Sequence, residues 1–114
     1  MPAYCPRQGD IVFLDCDPQA GHEQAGRRPA AVVSNRAFHQ RVSGFAVVCP
    51  ITNTNRPFPL HVPLDARTKT TGVILCEQVK SLDIAARNAE YRETLPDDLL
   101  QDIVERIMLS LEPG

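Results

Sequence analysis

Tryptophan is absent from the sequence, and aromatic residues of all kinds make up only 5% of it. That argues against a groove for proline-rich peptides, which needs several rings side by side. Charge of one sign is also missing: the formal net charge is −2 and the pI is near 5.9. Affinity for RNA or DNA comes largely from neutralised phosphates. A nucleic-acid site here must therefore be a local basic patch on a mildly acidic body. No apolar run approaches the roughly 20 residues of a membrane span. The stretch from Met1 to Asp10 carries Arg7 but no apolar core, unlike a secretion signal. These features predict a soluble, cytoplasmic protein.

Cysteines stand at positions 5, 16, 49 and 76, and no two form a CxxC pair. A zinc ribbon or a redox motif is therefore not expected. Cys16, Cys49 and Cys76 lie in or beside apolar runs and read as small buried hydrophobes. His22, His39 and His61 lack metal-ligand spacing, and the acids are not grouped as ligands. Nucleophile-elbow, zincin and phosphate-loop motifs are missing. The sequence asks for no metal and no cofactor.

What is present fits a single domain spanning residues 1–114, with 43% apolar and 23% charged residues. A chain of that length buries roughly two-thirds of its unfolded surface. Its 10 prolines are spread out, so they mark turns and strand ends rather than a linker. Gly9 to Cys16, with Ile11 to Leu14 contiguous and apolar, predicts a strand buried on both faces. Ala30 to Ser34 predicts a second strand, with Pro29 at its start or edge. Asn35 to Arg41 predicts a helical turn capped by Ser34 or Asn35. Further strands are expected at Phe45 to Ile51, ending at Thr52, at His61 to Leu64, at Gly72 to Lys80 and at Arg87 to Arg92. Thr94-Leu95-Pro96-Asp97 reads as a helix start: a hydroxyl cap, an early proline, then acids. Leu99, Leu100, Ile103, Val104, Ile107 and Leu111 then form one helical stripe, with Met108 as core or interface. The result is a mainly β fold: a small, strongly bent sheet or partial barrel closed by a C-terminal helix.

Three polar clusters interrupt this pattern. The first holds His22, Glu23, Gln24, Arg27 and Arg28, with glycines at positions 21 and 26. It reads either as a solvated hairpin turn or as a site in which an arginine at a loop–strand junction forks onto a phosphate. The second, Thr52-Asn53-Thr54-Asn55-Arg56, ends an apolar strand. There it is either a turn rich in side-chain–backbone bonds or a site on rigid support. The third is Glu77-Gln78-Val79-Lys80-Ser81, at the end of another apolar strand. All three are expected to face one groove.

The chain also resembles a known family. Gly9-Asp10-Ile11-Val12, Asp15-Cys16-Asp17-Pro18 and the run from Gly21 to Ala30 resemble the opening of the MazF/PemK toxins. Val32-Val33-Ser34, Pro50-Ile51-Thr52, Glu77-Gln78-Val79-Lys80-Ser81 and Leu95-Pro96-Asp97-Asp98-Leu99 continue the likeness over nearly the whole chain. The stretch from Glu23 to Pro29 is its most specific part. The resemblance implies an SH3-like β-barrel of the CcdB/PemK kind with a C-terminal helix, usually a homodimer. It implies a sequence-specific, metal-independent endoribonuclease acting on single-stranded RNA. It also implies a cognate antitoxin, MazE-like, with a flexible acidic segment.

By the same resemblance Arg28 and Thr52 are the catalytic pair. Glu23 is the nearest candidate for a base, or a contact to RNA or antitoxin. His22, Gln24, Arg27, Asn53, Thr54, Arg56 and Gln78 are the expected RNA contacts. His22 stands where relatives carry a small polar residue, and Glu77 replaces an aspartate. A CcdB-like gyrase poison or a non-enzymatic SH3-like binding protein would share the fold. The former acts through an aromatic C-terminal end, whereas this sequence ends Leu111-Glu112-Pro113-Gly114.

Overall fold

The structure is a computed structural model that describes residues 4–15, 26–54 and 59–114. Among these residues seven strands form one antiparallel sheet: β1 Asp10–Asp15, β2 Arg27–Val32, β3 Phe45–Thr52, β4 His61–Pro63, β5 Val73–Leu75, β6 Lys80–Asp83 and β7 Glu90–Thr94. Helix α1 spans Arg36–Arg41 and helix α2 spans Asp97–Leu111. The order across the sheet is β4-β5-β3-β2-β1-β7, with β6 also paired to β3. Among the described residues, no helix is long and apolar enough to cross a membrane.

The apolar run of β1 is buried on both faces, as its sequence predicts. Ile11 belongs to a cluster with Ala31, Cys49, Ile51, Leu95 and Ile103, against which Leu99, Leu100 and Ile107 pack. Val12 and Leu14 point the other way, into a second cluster with Ala30, Val32, Ala46, Val48 and Ile84. Alternate residues of β1, β2 and β3 thus feed two cores, which is why these strands carry no clean polar face. Cys49 and Cys76 are buried in the first core. Cys16 lies outside the described residues.

The expected fifth strand, Gly72 to Lys80, is divided. A 3₁₀ turn at Cys76–Gln78 separates β5 from β6. Both halves pair with the same edge of β3, in registers that differ by three residues. The turn takes up that offset, so one apolar run crosses β3 as two short strands. Pro29 sits inside β2 rather than at its start. It lies opposite Phe13 on the stretch paired to β1, and the ladder to β3 begins only at Ala30. Its missing N–H therefore breaks no bond to β3.

Asn35 is the α1 cap, its side-chain oxygen accepting from Phe38 N at 3.0 Å. Ser34 instead accepts from Val47 N at 2.9 Å. The last strand runs Glu90–Thr94, later than expected, because Asn88 turns the chain at φ +54°. Thr94 is its final residue and does not cap α2; Pro96 holds the cap position with no side-chain bond. Asp97 and Asp98 fill the first turn of α2, where its dipole favours acids. The α2 stripe packs through Ile103, but Leu111 remains 74% exposed, with Met108 at 62% and Leu109 at 67%.

Candidate active site

β2 and β3 run antiparallel with Ala30 opposite Pro50. The same register, continued past the last paired residues, sets Arg28 across from Thr52. Both line one open cavity of about 550 Å³, together with Gly26, Arg27, Pro29, Ile51, Asn53 and Thr54. The start of one strand and the end of its neighbour thus bring the first two polar clusters together.

Arg28 is exposed, and its guanidinium has no hydrogen bond or ion pair among the described residues. Arg27, next in the chain, is engaged. Its guanidinium donates to Asp15 Oδ1 at 2.8 Å, to the Phe13 carbonyl at 3.0 Å, to the Asn88 carbonyl at 2.7 Å and to Glu90 Oε1 at 3.0 Å. It also lies over the Phe13 ring, 5.9 Å from the centroid. Hydrogen bonds from the Asn88 amide and from Arg27 hold the Asp15 carboxyl below the usual carboxylate range. Arg27 therefore ties the end of β1 to the start of β2 and to the turn before β7. Among the described residues that line the cavity, Arg28 is left as the cation available to a ligand.

The Thr52 hydroxyl is half-buried and accepts the Thr54 backbone N–H at 3.1 Å. That bond uses an oxygen lone pair and leaves the hydroxyl proton free to donate. Asn53 and Thr54 are exposed on the rim. Asn53 Oδ1 accepts from the Thr71 hydroxyl at 3.1 Å. A guanidinium and a neutral donor on one polar cavity suit a phosphodiester: the first binds anionic oxygen, and the second can protonate or hydrogen-bond another.

The third polar cluster does not join them. Gln78 is exposed on the 3₁₀ turn and does not line the cavity. Glu77 faces His61, its Oε2 3.1 Å from the imidazole Nε2. β5 pairs with the edge of β3 opposite β2, so β3 stands between this cluster and Arg28. The expectation of one groove lined by all three clusters is corrected to two. His22, Glu23, Gln24 and Arg56 lie outside the described residues. Gly26 and Thr54, the described neighbours of those segments, both line the cavity. Among the described residues, no group of three or more His, Cys, Asp or Glu is placed to hold a metal ion.

Thr71 and Gly72 also belong to the surroundings of the site, and sequence reasoning missed them. The available signal was the glycine at the expected strand start, which marks a close backbone approach.

Residues 7–111 match the family described as PemK-like, MazF-like toxin of type II toxin-antitoxin system. The chain is 36% identical over 104 residues to the endoribonuclease toxin MazF of Escherichia coli K12, covering 91% of this chain and 92% of that one. It is 33% identical over 110 residues to the endoribonuclease EndoA of Bacillus subtilis, covering 92% and 93%. The crystal structure of MazF from Deinococcus radiodurans superposes with a TM-score of 0.82 at 38% identity, covering 95% of this chain and 97% of that one. A MazE–MazF structure from the same organism gives 0.81 at 31% identity, covering 97% and 99%. The matched stretch runs from the N-terminal strand through α2, and with it the chain belongs to the PemK-like, MazF-like toxin family of type II toxin–antitoxin systems.

Proposed function

We propose that this chain cuts single-stranded RNA, chiefly messenger RNA in the cytoplasm, at defined sequences and so halts translation and growth. The observation that carries the reading is the Arg28 guanidinium, without a partner among the described residues, on the same cavity as the Thr52 hydroxyl. The nucleophile is the RNA's own 2′-hydroxyl. Its oxygen attacks the adjacent phosphorus, the bond to the 5′-oxygen breaks, and the products are a 2′,3′-cyclic phosphate and a 5′-hydroxyl. No ion-activated water enters the scheme.

Arg28 forks onto the non-bridging oxygens, where charge builds in the transition state. A guanidinium keeps its protons and so stabilises charge rather than serving as the base. Thr52 donates to a phosphoryl or leaving oxygen. Glu23 is the candidate to take the 2′-hydroxyl proton. Asn53 and Thr54 contact the RNA on the cavity rim, with His22, Gln24 and Arg56 extending the contact.

The exposed Met108, Leu109 and Leu111 support a homodimer that covers the last turn of α2. A solved MazE–MazF assembly is similar to this chain, which supports a MazE-like antitoxin as partner. A flexible acidic segment of such a partner suits the Arg28 cavity and would compete there with RNA. Digestion of a mixed-sequence RNA by the wild type and by Arg28→Ala tests the function. Defined cuts that vanish in the variant are expected; a wild type that leaves RNA intact overturns the proposal.

A further inference from the structure

The rim of the cavity is built on a loop pinned from behind. Glu93, on β7, accepts from Lys69 N at 3.1 Å, from Thr70 N at 2.7 Å and from the Thr70 hydroxyl at 2.7 Å. The next residue, Thr71, donates its hydroxyl to Asn53 Oδ1 at 3.1 Å. Gly72 then passes so close that a Cβ on it would lie 3.2 Å from the same Oδ1. The amide oxygen of Asn53 is therefore bonded to Thr71 on one side, and the absence of a side chain at Gly72 leaves room for it on the other. Its Nδ2 carries two hydrogens and has no partner among the described residues, and Asn53 lines the cavity.

An unrestrained asparagine pairs with adenine through donor and acceptor together, N6 and N7 being read at once. With Oδ1 already accepting from Thr71, a base donor must share that oxygen, so the two-point pairing is weakened. A base bringing an amino group to this place would compete with the Thr71 hydroxyl for Oδ1, which costs binding free energy. A base bringing a carbonyl oxygen would be met by Nδ2–H.

We propose that Thr71 is a positioning residue for base selection: by holding Asn53 through its oxygen, it makes the cavity favour a keto base, uracil or guanine, over the amino bases adenine and cytosine at one position beside the cut. This rests on the RNA-cleavage reading above. Thr71 selects through Asn53 and touches no reacting atom.

The test is end-mapping of cuts on a mixed-sequence RNA, with base frequencies counted at each position flanking the cleaved bond. The wild type should show one position where U or G exceeds A or C by about tenfold. Thr71→Val should reduce that ratio to about threefold or less, Asn53→Ala should remove it, and Thr71→Ser, which keeps the hydroxyl, should restore it. Thr71 and Asn53 are exposed, and thermal melts of the variants verify that they fold. A keto preference unchanged in Thr71→Val and Asn53→Ala overturns the assignment, as does a wild type that cuts with no keto preference at any position. A wild type that makes no cuts overturns the nuclease reading itself, and this assignment with it.

Discussion

Gly72 stands directly behind Thr52. At φ +119°, a Cβ on Gly72 would lie 2.9 Å from the Thr52 carbonyl carbon and closer still to its oxygen. Real side chains do not approach a backbone that closely, so any substitution must push the end of β3. Gly72→Ala should lower stability by about 1–3 kcal/mol, from the positive φ and the clash. It should also lower kcat by about tenfold or more, because displacement of a positioned group by 1 Å is costly. A thermal melt together with single-turnover cleavage checks both effects.

Arg28→Ala should lose about 2–4 kcal/mol of transition-state stabilisation, a drop of roughly 10²–10³ in rate, by analogy with deletion of an oxyanion donor. Thr52→Ala should lose less, since a neutral donor contributes less than a charged one. Both residues stand at strand ends outside the two cores, so melting temperatures should stay within a few degrees of wild type. Cleavage kinetics beside calorimetry separate the two effects.

Acid should weaken the fold through the loop that backs the site. Arg67 bridges Asp65 and Asp98, each at 2.8 Å. Hydrogen bonds from its guanidinium lower the Asp65 carboxyl to about 2 and depress Asp98 as well. A carboxylate depressed by folding stabilises above its unfolded pKa, near 4, and loses that contribution as pH falls through the folded value. The melting temperature should therefore drop between about pH 4 and pH 2, and Arg67→Ala should make that slope shallower. These groups are on the surface, so the variant should differ little from wild type at pH 7. Circular dichroism melts across the pH series measure this.

The exposed apolar end of α2 should be covered in solution. A homodimer of about 25 kDa is expected at micromolar concentration, from a chain of 12.6 kDa. Leu111→Glu, combined with Leu109→Glu, should shift light-scattering masses toward the monomer. A monomeric wild type would remove the dimer from the proposal.

Much of this fold is legible in the sequence. Contiguous apolar runs such as Ile11 to Leu14 mark two-faced strands, and the spacing from Leu99 to Ile107 marks the helix. The break of Gly72 to Lys80 at Cys76 is not legible, because the apolar pattern continues through it. Only pairing of both halves with β3 forces the three-residue offset. Arg27 and Arg28 show the same limit at the site. As adjacent arginines they read alike, and what distinguishes them is the set of oxygens from Asp15, Phe13, Asn88 and Glu90 that surrounds Arg27. Three of those four residues come from β1 and β7, and Asn88 from the turn before β7. Their approach depends on strand order, which no local pattern carries.

The central claim is that RNA supplies its own nucleophile to Arg28 and Thr52. The most direct measurement uses a short RNA carrying one preferred site, all-ribose or with a single 2′-deoxy sugar on the 5′ side of the cut, in excess chelator. The all-ribose strand should be cut to a 2′,3′-cyclic phosphate and a 5′-hydroxyl, while the singly deoxy strand should stay intact. Cleavage of the deoxy strand, or a linear phosphate formed by direct hydrolysis, would contradict it.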